Sequence, residues 1–213
     1  MTSHLLTGVR PYGEDATDIL LADGVIAAIG FDAAAQAPAD AVRHDLDGLV
    51  TLPGLVDIHT HLREPGGESA ETVFTGTRAA AVGGYTSVFA MANTTPVQDS
   101  AGVVEQVLRL GREAGWVDVH PVGAVSAGLE GKHLSEMSAM AHSAARVRVF
   151  SDDGKCVADP VLMRRALEYV KGFGGVIAQH SQDPALTEGA QINESTLSGE
   201  LGLAGWPAVA EEA

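Results

Sequence analysis

The segment Asp57 to Arg63, with the sequence DIHTHLR, carries the residues best suited to chemistry. His59 and His61 lie two positions apart in a short apolar run, so on a β-strand both imidazoles point to the same face. Two neutral imidazoles side by side are a favourable donor pair for a zinc ion. Packed in an apolar strand without partners they would be costly, so we interpret them as metal ligands.

Two further segments carry polar groups directly after apolar, β-rich stretches. Asp152 and Asp153 follow the stretch RVRVF, and adjacent carboxylates repel one another unless a cation or a donor is near. Asp before Gly also commonly starts a turn, so a turn role for this pair is the alternative. His180 lies near the end of GVIAQHS, where a single histidine is as readily structural as metal-binding.

The residues after Gly54 alternate between β-rich and helical patterns. This alternation implies right-handed βαβ units and a parallel sheet. The first loop after a strand, HLREPGGES, lacks the glycine-rich phosphate loop of many open doubly wound sheets, so we predict a TIM-type (β/α)8 barrel. Only about five strands are present, and we expect the chain to end before the barrel closes. The predicted strands are 55–62, 85–92, 117–125, 146–152 and 175–181, the predicted helices are 68–84, 99–116, 133–144 and 159–174, and a further helix begins at 200.

The three polar segments follow the first, fourth and fifth predicted strands. In a barrel the carboxyl ends of the strands converge on one mouth, so these side chains would meet there. Imidazoles with a carboxylate suit one or two divalent transition metals. A carboxylate shared by two ions would support a hydroxide that forms near neutral pH. The predicted reaction class is therefore metal-assisted hydrolysis.

The first 54 residues read as a small β domain. The stretch DILLADGVIAAIG has two apolar runs around Asp23-Gly24, a dipeptide suited to a type I′ hairpin turn. A Pro-Gly break at Pro53-Gly54 ends this part of the chain. We therefore predict two domains, 1–54 and 55–213.

The amino-acid composition argues against several classes of binding partner. Asp and Glu number 28 against 13 Lys and Arg, and the formal net charge of −15 argues against a nucleic-acid or anionic-membrane surface. The single cysteine, Cys156, cannot form an internal disulfide and fits a reducing compartment. No apolar run is long enough for a membrane helix and the first residues lack the pattern of a secretory signal, so we expect a cytoplasmic protein.

The stretch PGLVDIHTHLREPG resembles the first metal-binding strand of the amidohydrolase superfamily and, within it, the dihydroorotase family. The resemblance extends over nearly the whole chain. It implies a metal-dependent barrel with a small β domain, and zinc-dependent, reversible hydrolysis of the cyclic amide of dihydroorotate to N-carbamoyl-L-aspartate in pyrimidine (UMP) biosynthesis. Further stretches that agree are GTRAAAVGGYTSVFAMANTTP, PVGAVSAGLEGK, VFSDDGKCV, QHSQDPALTEGAQINE and LGLAGWPAVAEEA.

The resemblance assigns metal ligands one by one. His59 and His61 would bind one zinc ion, His180 would bind a second, and a carboxylate would bridge the two ions. Asp153 resembles the bridging residue better than Asp152 because of its spacing of 27 residues to His180. The stretch RVRVF contains no lysine that could be carboxylated, so the chain resembles the aspartate-bridged type.

Two other residues resemble groups that hold the substrate carboxylate. Arg63 carries a guanidinium, which can bind a carboxylate through two parallel hydrogen bonds. Asn93 follows the second strand, so its amide can reach the same mouth. The alternatives are a surface salt bridge for Arg63 and a turn role for Asn93.

The family also uses another histidine and a catalytic aspartate from later strands, so we assign no catalytic residue within this chain and expect residues 1–213 to be inactive alone. The alternative enzymes are other cyclic amidases, such as allantoinase or hydantoinase. An alternative of another class is a non-catalytic dihydroorotase-like partner of aspartate transcarbamoylase. The expected partner of an active form is its small-molecule substrate, with a homodimer or aspartate transcarbamoylase association left open.

Overall fold

The computed structural model describes residues 2–212 and divides the chain into two compact units, Met1–Gly54 and Leu55–Ala213. Within residues 2–212, no helix combines the length and the apolar composition needed to cross a membrane.

The first unit is a five-stranded sheet with one short helix, α1. The strands β1, β2 and β3 are antiparallel neighbours, whereas β4 and β5 both pair with β1 in parallel. Asp23 and Gly24 join β2 to β3 with φ angles of 52° and 78°, as a type I′ turn requires, so the hairpin prediction is confirmed. The elements are β1 (His4–Pro11), β2 (Thr17–Ala22), β3 (Val25–Ile29), α1 (Ala33–Gln36), β4 (Val42–Asp45) and β5 (Val50–Thr51).

The second unit alternates strands and helices. Short 3-10 turns at Ala127–Leu129 and Lys171–Phe173 interrupt the pattern. The elements are β6 (Leu55–Thr60), α2 (Val73–Val82), β7 (Tyr85–Ala90), α3 (Ala101–Ala114), β8 (Asp118–Pro121), α4 (Met137–His142), β9 (Val149–Phe150), α5 (Pro160–Val170), β10 (Val176–Ile177), β11 (Ile192–Asn193), α6 (Thr196–Leu201), β12 (Gly205–Trp206) and α7 (Val209–Glu212).

The strands β6 to β10 run in parallel in chain order. β7 pairs with β6 and β8, and β10 pairs with β9. A parallel bridge between Gly123 and Phe150 joins the chain after β8 to β9, and the Gly123 carbonyl oxygen accepts from the Ser151 N–H at 2.8 Å. The prediction of parallel βαβ units is therefore confirmed for these strands, and their carboxyl ends share one edge.

Three helix predictions are wrong at their starts or in their extent. α4 begins at Met137 rather than 133. α2 begins at Val73 rather than 68, because Thr72 and Thr75 form a capping box in which each hydroxyl accepts from the other's backbone N–H. The stretch that begins at 200 is not one helix. Gly202 ends α6 with a φ of 65°, β12 follows, and only Val209–Glu212 is helical again.

Helices α2 and α3 pack on the sheet and hold the strands in place. Val73, Val107 and Val119 are buried in one cluster between these helices and the strands. α3 approaches β8 closely, since a Cβ added to Gly111 would lie 2.5 Å from the Cβ of Val119. This packing fixes the positions of the strand ends, where the candidate residues lie.

Candidate metal centre

The predicted ligands meet at the carboxyl ends of the parallel strands. His59 lies in β6, and His61 directly follows that strand. Asp153 lies beyond β9, and His180 lies beyond β10. His59 and His61 are two positions apart at the end of β6, and this spacing turns both imidazoles toward the same carboxylate.

The carboxylate of Asp153 is at the centre of the cluster. Its side chain is only 5% exposed, and its Oδ1 lies 3.2 Å from His59 Nε2 and 3.1 Å from His180 Nδ1. Its Oδ2 lies 3.3 Å from His61 Nε2. One buried carboxylate thus contacts three imidazoles, and each of its oxygens faces at least one of them.

Asp152 is turned away from the histidines. Its Oδ1 accepts from the backbone N–H groups of Val125 and Ser126, at 2.8 and 3.0 Å, and its Oδ2 accepts from the Ser126 hydroxyl. The Ser126 hydroxyl oxygen in turn accepts from the Gly131 N–H at 2.8 Å. The structure therefore brings Asp153, and not Asp152, to the histidines.

Asn93 joins the end of β7 to the cluster. Its Nδ2 donates to Asp153 Oδ2 at 3.4 Å, and its Oδ1 lies 3.0 Å from His61 Nδ1. Because an amide oxygen can only accept, His61 Nδ1 is the donor in this contact, and its Nε2 faces Asp153. Sequence reasoning predicted Asn93 to bind substrate and missed this contact.

Gln182 orients His180 in the same way. His180 Nε2 donates to Gln182 Oε1 at 3.0 Å, and its Nδ1 faces Asp153. Sequence reasoning missed Gln182. The sequence signal that could have identified it is the stretch QHSQD, in which Gln182 follows His180 by two positions.

The contacts between these imidazole nitrogens and the carboxylate allow a test of whether a metal fits. An imidazole nitrogen that faces a carboxylate oxygen at this distance needs a proton or a metal cation between the two atoms. Atoms bound to one tetrahedral zinc at about 2.0–2.2 Å are about 3.3–3.6 Å apart, and the separations here, 3.1–3.3 Å, are close to the lower end of that range. Ligand atoms of His59, His61 and Asp153 all lie within 4.8 Å of one another. The donor set therefore fits divalent transition metals.

Arg63 lies just outside this cluster, on an exposed loop. Its φ is 60°, and among residues 2–212 no carboxylate lies within ion-pairing distance of its guanidinium. In the same loop, the Gly66 N–H donates to Glu68 Oε1 at 2.8 Å, and this hydrogen bond lowers the pKa of the Glu68 carboxyl. The next loop along the sheet, which carries Asn93, contacts this loop, because the Thr95 N–H donates to the Pro65 carbonyl oxygen at 2.9 Å.

Comparison with known proteins places the chain beside one group of enzymes. A family model described as dihydro-orotase-like matches residues 48–213. A dihydroorotase of Leifsonia xyli is 66% identical over 98% of this chain and 47% of that protein. A dihydroorotase of Streptomyces coelicolor is 63% identical over 100% of this chain and 49% of that protein. The chain thus spans about half the length of the curated relatives it matches.

Solved structures agree at the level of the fold. The L-hydantoinase of Arthrobacter aurescens superposes with a TM-score of 0.71 at 20% identity, over 88% of this chain and 42% of that one. At this identity the likeness concerns architecture alone. It is consistent with a partial TIM-type fold together with a small β domain.

Proposed function

Because the chain belongs to the dihydro-orotase-like family, we propose that it supplies part of the active site of a dihydroorotase. The reaction is the reversible hydrolysis of the cyclic amide of dihydroorotate to N-carbamoyl-L-aspartate, within pyrimidine biosynthesis. The observation that carries the proposal is the buried carboxylate of Asp153 in contact with three imidazoles. The complete architecture is a (β/α)8 barrel with a small β domain.

Four residues would hold two zinc ions. His59 and His61 would hold one ion, His180 would hold the other, and Asp153 would be shared between them. Ions held there would supply Lewis-acid chemistry, lowering the pKa of water toward neutrality and polarising the amide carbonyl. The protein's own contribution is to fix the ligand orientations, through Asn93 on His61 and through Gln182 on His180.

Arg63 and Asn93 would bind the substrate carboxylate. The guanidinium of Arg63 is exposed and unpaired with any carboxylate among residues 2–212, so it is available as a bidentate partner. Asn93 Nδ2 lies 3.4 Å from Asp153 Oδ2, which places an amide donor beside the metal ligands. A carboxylate held by both side chains would keep the cyclic amide next to the ions.

The other candidate functions receive less support. The hydantoinase resemblance rests on architecture at 20% identity, whereas relatives named dihydroorotase are up to 66% identical. A non-catalytic partner of aspartate transcarbamoylase has no need to keep such a cluster, whereas here His59, His61 and His180 all contact the Asp153 carboxylate. The small molecule dihydroorotate is the partner we propose, in the cytoplasm, and a homodimer or association with aspartate transcarbamoylase would be compatible with this role.

The test is a substrate comparison with the complete gene product that contains residues 1–213. We expect zinc-dependent hydrolysis of dihydroorotate, and little hydrolysis of hydantoin or allantoin. Asp153→Asn should abolish turnover, because an amide bridges two cations poorly. Asp15→Asn, on an exposed aspartate of the first unit, is the matched control and should leave turnover unchanged. Turnover of hydantoin or allantoin alone would contradict the proposal.

A further inference from the structure

Two neighbouring loops at the carboxyl edge of the sheet are in unusually close contact. The first loop comprises residues 63–67 and the second comprises residues 93–96. The Thr95 N–H donates to the carbonyl oxygen of Pro65, which is buried. A Cβ added to Gly66 would lie 2.3 Å from the Thr95 carbonyl oxygen and 2.5 Å from the Thr95 Cβ. Only glycine fits at this position.

The first loop is held in one shape by its own hydrogen bonds. The Gly67 N–H donates to the Arg63 carbonyl oxygen at 2.7 Å, which closes the loop directly behind Arg63. Glu64 Oε2 accepts from the Val73 N–H at 2.8 Å, so the loop is also tied to the start of α2. A displacement of Gly66 would therefore move the backbone of Arg63 rather than be absorbed within the loop.

The second loop is anchored to the metal centre. Asn93 contacts both His61 and Asp153, and the Thr94 N–H donates to the Ala92 carbonyl oxygen at 2.9 Å. The Thr94 hydroxyl donates to the Pro96 carbonyl oxygen at 2.8 Å. These contacts hold the second loop in a fixed position relative to the metal centre, and the first loop packs against it.

We propose that the contact of Gly66 with Thr95 sets the distance between Arg63 and Asn93, and thereby the affinity of the site for a substrate carboxylate. Gly66 and Thr95 are positioning residues, since they act through Arg63 and Asn93. The inference rests on the proposed function, in which those two side chains share one carboxylate. Two donors from different loops bind one anion tightly only if their separation is set before the ligand arrives.

The experiment uses the complete, zinc-loaded gene product and the variant Gly66→Ala. The new methyl group would push the loops apart by about 1 Å and so weaken the hydrogen bonds from one of the two side chains to the substrate carboxylate. Because such bonds involve a charged group, we expect KM for dihydroorotate to rise between about tenfold and a hundredfold, with a smaller change in kcat and an unchanged zinc content. The zinc content matters because a variant that merely damaged the site would lose metal as well.

Gly84→Ala is the matched control. Gly84 has a φ of +85°, close to the +96° of Gly66, but nothing lies within 4 Å of a Cβ added there. Gly84→Ala therefore introduces a similar backbone strain at positive φ but no clash between loops. The KM of this variant should equal that of the wild type. A KM that rises equally in both variants would overturn the proposal.

A double-mutant cycle tests whether Gly66 acts through Arg63. Arg63→Ala alone should raise KM, and adding Gly66→Ala should raise it little further, because the guanidinium to be positioned is already gone. Independent, multiplicative effects would overturn the proposal.

If Gly66→Ala does not fold, the variant Thr95→Gly tests the same contact instead. Without its side chain the contact loosens, so KM should rise with zinc content intact, and an unchanged KM would overturn the proposal.

The outcomes separate this inference from the proposed function. A wild-type protein that does not hydrolyse dihydroorotate would overturn both. An active wild type with a normal KM in Arg63→Ala would remove the carboxylate role and, with it, the positioning role. An active wild type with a raised KM in Arg63→Ala but a normal KM in Gly66→Ala would overturn the positioning role alone.

Discussion

Asp152 and Asp153 are consecutive in the chain, yet their carboxylates have entirely different surroundings. Asp152 accepts three hydrogen bonds from the segment that follows β8, whereas Asp153 faces three imidazoles. Both side chains are buried, so each charge needs its own compensation. For Asp152 this compensation comes from two backbone N–H groups and a hydroxyl, whereas for Asp153 it is left to the Asn93 amide and to three imidazoles that could hold a metal ion.

Substitution of Asp152 should therefore lower stability. Asp152→Ala leaves the buried N–H groups of Val125 and Ser126 without an acceptor, at roughly 1–3 kcal/mol for each. Asp152→Asn keeps one oxygen acceptor and should lose less. Chemical denaturation of the metal-free protein measures the free energy of unfolding of both variants. Equal losses of stability in the two variants would mean that the carboxylate does not hold this segment.

Removal of His180 should change the number of bound metals. In the proposed arrangement His59 and His61 bind one ion and His180 binds the other, so His180→Ala should reduce the zinc content of the complete gene product from two ions to one per chain. His120→Ala is the control, because His120 stacks on Phe89 and is not part of the cluster. Elemental analysis of the purified proteins decides, and an unchanged zinc content in His180→Ala would refute this ligand assignment.

Asn93 should influence metal affinity as well as substrate binding. Asn93→Ala removes the acceptor that holds the His61 proton on Nδ1, and loss of such a partner typically costs about 10–100-fold in metal affinity. Competition with a chromophoric chelator measures the change. Asn193→Ala, on an exposed asparagine of β11, should match the wild type. If Asn93→Ala alters KM but not zinc affinity, its contact with His61 has no role in metal binding.

The loop of Arg63 should be sensitive to acid through Glu68. The Gly66 N–H hydrogen bond lowers the pKa of the Glu68 carboxyl. A carboxyl with a lowered pKa in the folded state contributes stability above its unfolded pKa, and this is lost as pH falls through the folded value. The loop hydrogen bond should thus be intact at neutral pH and be lost only in acid.

An NMR titration checks this expectation. The Glu68 side-chain carbon should titrate with a midpoint below the ordinary value for glutamate, and the Gly66 amide proton should shift with the same midpoint. In Glu68→Gln the Gly66 amide should show no such transition. A Glu68 midpoint at or above the ordinary value would contradict the prediction.

Several features of this protein follow from local sequence alone. The period of two along a strand places His59 and His61 on one face wherever that strand lies. Asp23-Gly24 favours its turn because both residues must adopt positive φ. The alternation of strand and helix patterns implies parallel strands, and their carboxyl ends then share an edge. These inferences need only short-range geometry.

Other features were decided by tertiary structure. Asp152 and Asp153 are chemically identical neighbours, and only the donors of Val125 and Ser126 determine which carboxylate turns toward the histidines. The contact of Asn93 with His61 and the fit of Gly66 against Thr95 join different strands and loops. No local pattern encodes such contacts, because the partners come together only when helices and strands pack and set the spacing of the strand ends.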